Sequence, residues 1–199
     1  MWSRRNARGL YEQLHELEQR AEHAPIPGAN AGYMNEAGDL CLTSGDVMRA
    51  LDYFGLAIDA HVRADRFTAA MALCRKVLRI QPEVVRARCT LAWLSIGNGF
   101  EGDACSWIGG YVDAAERVGR ERLAVSQLRR MGELATGEQL RMLVGERLLA
   151  LGDDRTADHI FGIAFGTRNG TIREALSDHQ QRWSWARRAA LLGPRELAA

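Results

Sequence analysis

The sequence predicts an all-α protein, a stack of about eight or nine antiparallel helices, and three observations carry that prediction. Only 4 of the 199 residues are proline, while Ala, Leu, Arg and Glu, which have the best intrinsic helix propensities, dominate. A pattern of small residues recurs three times along the chain, which is the mark of a structural repeat. The breaks between apolar-periodic stretches are only two to four residues long, so consecutive helices must run antiparallel. With 47% hydrophobic and 26% charged residues, the composition is that of an ordinary globular chain able to bury a core.

The repeat is set by glycines. Gly45-Asp46-Val47 lies between two apolar-periodic stretches, Gly99 follows 54 residues later and Gly152-Asp153 a further 53. Alignment on these glycines brings Ala50, Ala104 and Ala157 into register, and Phe54-Gly55 with Ile108-Gly109 and Phe161-Gly162. Asp59-Ala60 matches Asp113-Ala114, and Gly38, Ala92 and Gly145 each stand seven residues before the punctuating glycine. Gly45, Gly99 and Gly152 suit the left-handed residue that ends one helix before the next begins. Gly38, Gly55, Gly109, Gly110, Gly145 and Gly162 fall inside helices, where glycine costs about 0.5–1 kcal/mol against alanine. Their presence predicts close approach of neighbouring backbones.

The elements follow in order. Residues 3–22 form an amphipathic helix with Leu10, Leu14 and Leu17 on one stripe, ended at Ala24-Pro25-Ile26-Pro27-Gly28. The pattern fits either docking on the first repeat or a mobile arm. The first unit reads as helices near 31–44, 46–63 and 66–80, the last introduced by Asp65-Arg66-Phe67, carrying Ala70, Cys74 and Val77, and stopped at Pro82. The second reads as 84–98, 101–118 and 120–134, with Gly119-Arg120-Glu121 introducing Ala124, Leu128 and Met131. The third begins at 138–151 and 154–167. Near the end, Thr171-Ile172-Arg173-Glu174 is a capping box, and Ile172, Leu176, Trp183, Ala186 and Ala190 share one face. The organisation is therefore an N-terminal helix and linker (1–30), a repeat domain (31–167) and a C-terminal capping helix and tail (168–199). A partner-binding tail using Trp183, Trp185, Arg187 and Arg188 is the alternative for the last segment.

Gly38, Gly45-Asp46, Ala50, Phe54 and Ala57 are spaced as in tetratricopeptide repeats, 34-residue helix-turn-helix units. Ala70, Cys74, Val77 and Pro82 fit the second half of that pattern, and Gly145, Leu148, Gly152-Asp153, Ala157, Phe161 and Ala164 give a further match. Over 31–167 the chain resembles an irregular, bacterial-type member of that family. Spacings alternate near 20 and 34, and Met34, Arg88 and Arg141 stand where the family usually has a tryptophan. The resemblance implies an α-solenoid of antiparallel helix pairs, a right-handed superhelix that binds a peptide or protein segment along its concave face. The first helix of each pair lines that face in the family, which nominates Asn35, Asp39 and Leu42, then Arg86, Trp93 and Ile96, then Met142, Glu146 and Leu149. Trp93 is the strongest single anchor, since tryptophan is enriched at interface hot spots; an equal reading wedges it between helices. Relatives that clasp a C-terminal carboxylate use lysine and asparagine at inner positions. Asp39, Trp93 and Glu146 replace much of that cationic pattern, which disfavours chaperone-tail binding.

Chemistry is sparse. His15-Glu16 starts a zinc-protease-like pattern, but the residue four after His15 is Gln19, and the other histidines have no ligand spacing. Phosphate-binding, nucleophile-elbow and dinucleotide glycine motifs are absent. Asp153-Asp154 and Asp158 at a helix start complement the helix dipole. Cys41, Cys74, Cys89 and Cys105 include no Cys-x-x-Cys pair and read as reduced thiols serving as small apolar side chains. Neither a catalytic constellation, a cofactor site nor a metal site is expected. No stretch reaches a membrane span, the N-terminus lacks the apolar core of a secretory signal, and a cytoplasmic location is expected.

Charge separates the remaining readings. The net charge is +1, which argues against bulk attraction to nucleic acid or anionic membrane. Lys76 is the single lysine among 26 basic residues, a bias read as genomic base composition. Basic residues gather at Arg75, Lys76, Arg79, Arg86, Arg88, Arg120, Arg122, Arg129 and Arg130 without aromatic interleaving. The expected role is a non-catalytic adaptor or scaffold for a protein or peptide. A regulatory or assembly subunit of a larger complex is one alternative, an RNA- or anion-binding repeat using the central arginines another, and self-association stays open.

Overall fold

A computed structural model describes residues 4–26 and 28–164. Among them are nine α-helices and no strand: α1 (Arg4–Glu22), α2 (Asn30–Thr43), α3 (Val47–Arg63), α4 (Phe67–Ile80), α5 (Val85–Asn98), α6 (Glu101–Arg117), α7 (Glu121–Leu134), α8 (Glu138–Ala150) and α9 (Asp154–Ala164). The all-α class and the succession of antiparallel, tetratricopeptide-like helix pairs are those expected. The capping box at 171–174 and the tail residues Trp183, Trp185, Arg187 and Arg188 lie outside the described residues. The chain divides into two compact units, Met1–Ile80 and Gln81–Ala199. The boundary falls at Gln81-Pro82, where proline biases the preceding residue out of the helical region.

Five turns share one geometry. Gly45, Gly99 and Gly152 have φ of 87°, 75° and 80°, and the next residue's N–H closes the turn. Asp46 N donates to Cys41 O (3.0 Å), Phe100 N to Ser95 O (2.9 Å) and Asp153 N to Leu148 O (2.9 Å). This is the six-to-one bond of a Schellman turn. Asp65 (φ 57°) and Gly119 (φ 69°) repeat it, with Arg66 N on His61 O at 2.9 Å and Arg120 N on Ala115 O at 2.8 Å. The two kinds of punctuation seen in the sequence are therefore one device, used before the second helix of all three repeats and, among the described residues, before the third helix of the first two.

In the first unit α1 packs on α2, α2 on α3 and α3 on α4. The N-terminal helix is docked, with Leu14, Leu17 and Ala21 buried; a fully buried leucine contributes about 2 kcal/mol. The Tyr53 hydroxyl donates to the Glu18 carboxylate. The Arg49 guanidinium sits 5.6 Å from the Tyr11 ring centroid and 5.7 Å from that of Tyr53, a cation–π clamp between α1 and α3. Inside the α2–α3 pair, a Cβ on Gly38 would lie 2.5 Å from the Phe54 ring. The aligned α8–α9 pair is closed the same way, since a Cβ on Gly145 would lie 2.4 Å from Phe161. Glycine at these sites is what lets the aromatic ring pack directly on backbone.

The second unit packs α5 on α6, α6 on α7 and α8, α7 on α8, and α8 on α9. Glu101, in the first turn of α6, accepts from Gly137 N and from Thr136 Oγ1, both at 2.6 Å. Its carboxylate thus caps the N-terminus of α8, where negative charge is favoured. Asp113 and Arg147 join the same two helices at 3.2 Å. Eleven of the fourteen residues of α5 are buried, so this helix presents no solvent face along most of its length.

Candidate functional site

The three residues nominated on each first helix are spaced four and three apart on α2 and α8, and seven and three apart on α5, which places each set on one stripe of an α-helix. The structure gives the three stripes different surroundings.

On α2, Asn35 and Leu42 are half-buried and Asp39 is exposed. Lys76 of α4 reaches this stripe, donating to Asn35 Oδ1 at 2.9 Å and to Asp39 Oδ1 at 2.6 Å. Its ammonium lies 4.3 Å from the centroid of the Phe54 ring. The lone lysine of the chain therefore ties the third helix of the unit to the first two. A compact ammonium with three rotatable donors suits this corner better than a planar guanidinium. Beside the stripe, a cleft between α1 and α2 is lined by Gln13, Glu16, Leu17, Arg20, Glu36 and Asp39 among others. Arg20 is paired there with Glu16 at 2.7 Å.

On α5, Arg86 is half-buried, while Trp93 and Ile96 are buried. The expectation that these two line an open face is corrected by the packing of α5. Trp93 is 0% exposed, and its indole Nε1 donates to the buried Gln127 Oε1 of α7 at 2.8 Å. Of the two readings open for Trp93, the wedge between helices is the one it occupies. Gln127 was not singled out from the sequence, although a polar residue beside Ala124, Leu128 and Met131 on a buried stripe needs a partner. Cys89, the α5 residue aligned with Asn35, is a core thiol whose pKa burial pushes up to about 12. Burial likewise holds the Tyr111 hydroxyl well above its usual value. Neither group is poised for nucleophilic or acid–base work at neutral pH.

On α8 the stripe is accessible. Met142 is half-buried, Glu146 is exposed and Leu149 is 50% exposed. An apolar–acidic–apolar stripe is the kind of surface an amphipathic segment covers. A separate cleft between α7 and α9 is lined by Arg129, Glu133, Asp153, Arg155, Asp158 and His159 among others. Arg129 Nε binds Asp153 Oδ2 there at 2.7 Å, and that bond, followed by contacts with Thr156, holds the Asp153 carboxyl below its usual range.

The central basic residues do not act as one set. Lys76 is held by Asn35 and Asp39, and Arg129 by Asp153. Arg88 donates to Pro82 O at 3.1 Å, and its guanidinium lies where a Cβ on Gly110 would stand, 2.4 Å from its Nη1. Among the described residues no group of three or more His, Cys, Asp or Glu side chains is placed to hold a metal ion, and no helix is long and apolar enough to cross a membrane.

No protein-family model matches the sequence, and no curated protein matches it. Among solved structures, it is similar to a tetratricopeptide repeat protein from Parabacteroides merdae. The two share 17% identity over 88% of this chain and 80% of that one, with a TM-score of 0.26. The tetratricopeptide-like character of this chain is carried by its own helix pairs, closed at Gly38–Phe54 and Gly145–Phe161.

Proposed function

We propose that the protein is a non-catalytic, cytoplasmic adaptor or scaffold that holds a protein or peptide segment against first-helix faces of its repeat. The observation that supports this most is the α8 stripe, where Leu149 is 50% exposed beside half-buried Met142 and exposed Glu146. Two apolar anchors flanking a carboxylate suit an amphipathic segment carrying a basic residue between its apolar contacts. Asn35, Asp39 and Leu42, with the acidic cleft beside them, offer a second and more polar surface on the first unit.

The test is partner retention by variants of the full chain. Leu149→Asp places charge at the centre of the apolar contact and abolishes retention of a bound protein, while the fold is kept because the side chain is half in solvent. Leu56→Asp is the control, since Leu56 is 49% exposed on α3 and outside the nominated stripes. Equal loss with both variants, or none with either, contradicts the α8 face as the binding surface.

A further inference from the structure

Two of the three helix pairs repeat one arrangement of glycine, carboxylate and ring. In the repeat register Gly38 aligns with Gly145, Asp39 with Glu146 and Phe54 with Phe161. The rings lie the same way, since Cε1 of the phenylalanine is the atom closest to a Cβ built on either glycine. The acidic residue directly follows the glycine on which the ring is seated. In the α5–α6 pair the aligned residues are Ala92, Trp93 and Ile108, so both the carboxylate and the ring are missing there.

In the first unit this arrangement holds an ammonium group. Lys76 Nζ lies 2.6 Å from Asp39 Oδ1 and 4.3 Å from the Phe54 ring centroid, and it donates to Asn35 Oδ1 at 2.9 Å. The carboxylate supplies a charge-assisted bond and the ring its negative π face. In α8–α9 the same two groups are accessible among the described residues. Glu146 is exposed and Phe161 half-buried, whereas Phe54 is fully buried. The arginines of α8 are placed elsewhere, Arg141 in the core and Arg147 on Asp113 at 3.2 Å. Met142 aligns with Asn35, so an apolar thioether stands where the first unit has a second acceptor. One carboxylate beside an apolar wall suits an ammonium on an aliphatic stem. The five donors of a guanidinium would find too few acceptors.

We propose that Glu146 and Phe161 form a recognition site for a lysine side chain of a partner protein. Its ammonium pairs with the Glu146 carboxylate over the Phe161 ring, and its stem lies along Met142. This rests on α8 being the binding face, and it names the residue that the face reads.

The probe is the segment that fills the aligned site within this protein, a fluorescent 14-residue peptide with the sequence of α4, Phe67–Ile80. It is titrated onto the full-length protein beside the same peptide carrying Lys76→Gln or Lys76→Arg. The lysine peptide binds roughly fivefold or more tightly than the glutamine peptide, and the arginine peptide falls between them. Glu146→Gln in the protein removes the preference, as a double-mutant cycle requires of a direct pair. Phe161→Leu, which keeps an apolar side chain on Gly145, reduces it. Absence of binding, or equal binding of the lysine and glutamine peptides, overturns the proposal. A preference that survives Glu146→Gln and is lost in Asp39→Asn also overturns it, because the peptide has then exchanged with α4. A fall in the unfolding midpoint of peptide-free Glu146→Gln as large as that of Asp39→Asn overturns it too, since the carboxylate is then already paired within the chain. Spermidine that binds through Glu146 as tightly as the peptide replaces the protein lysine by a free amine. Partner retention is read separately. Retention lost with Leu149→Asp but kept with Glu146→Gln leaves the adaptor reading standing and removes the lysine site.

Discussion

Trp93 shows how much a single side chain's role depends on its neighbours. Its position on a first-helix stripe is legible from the repeat, and its burial is not, because that depends on α7 delivering Gln127 to the same place. Trp93→Ala should cost about 3–5 kcal/mol through lost packing. Trp93→Phe, which keeps most of the volume but leaves the Gln127 carbonyl without its donor, should cost about 1–3 kcal/mol. Urea midpoints of the two variants check both values, and a neutral Trp93→Phe would mean that the indole bond contributes nothing. Asp153 carries a pH signature of its own. Its carboxyl is held below the ordinary 3.8, first by Arg129. The unfolded chain therefore takes up that proton at higher pH than the folded one, and the stabilisation is present above the ordinary value and lost as pH falls through the lowered one. Asp153→Asn should be less stable than wild type at pH 7, by a small margin because the Arg129 side chain is 53% exposed. The difference should close in acid below about the ordinary carboxylate pKa. A gap that is unchanged in acid would assign the loss to something other than the ion pair.

At the scale of the element, turns and helix pairs were readable because they depend on local constraints. A glycine held at positive φ marks a helix end whatever packs around it, and Gly45, Gly99 and Gly152 do so. The glycine at Gly38 was readable as a sign of close packing, but what approaches it is the Phe54 ring and not a neighbouring backbone. Two substitutions on the same helix separate these effects. Gly38→Ala drives a methyl group into the Phe54 ring, 2.5 Å away, and should cost about 1–3 kcal/mol. Gly32→Ala meets nothing within 4 Å and should stabilise α2 by about 0.5–1 kcal/mol. Thermal melts of the pair check the contrast, and equal shifts would contradict the close packing of α2 on α3. Docking of α1 was not readable, because an amphipathic stripe says that a helix needs a partner without saying which surface supplies it. Leu14 is buried in that interface, and Leu14→Ala should cost about 2–5 kcal/mol by denaturant unfolding; a neutral result would contradict the docking.

For the whole molecule, the all-α repeat and its three copies follow from residue spacing, and the division at Ile80–Gln81 coincides with the proline that interrupts the helical run. The functional surface was less legible. Stripes chosen by helical spacing identify which residues share a face, but coverage by a third helix decides whether that face is open. Asn35 and Asp39 are engaged by Lys76, Trp93 and Ile96 are buried, and only the α8 stripe combines accessibility with apolar anchors. Of the nine central basic residues, Lys76 and Arg129 are held by carboxylates and Arg88 by a carbonyl oxygen. Salt therefore discriminates sharply between classes of partner, since phosphate contacts lose affinity steeply as salt rises. Affinity capture of the full-length protein from native lysate at low and high salt, with mass spectrometry of what remains bound, tests the central claim most directly. A protein-binding role through apolar anchors predicts one protein retained at both salts. Recovery of nucleic acid alone, released at high salt, would contradict it.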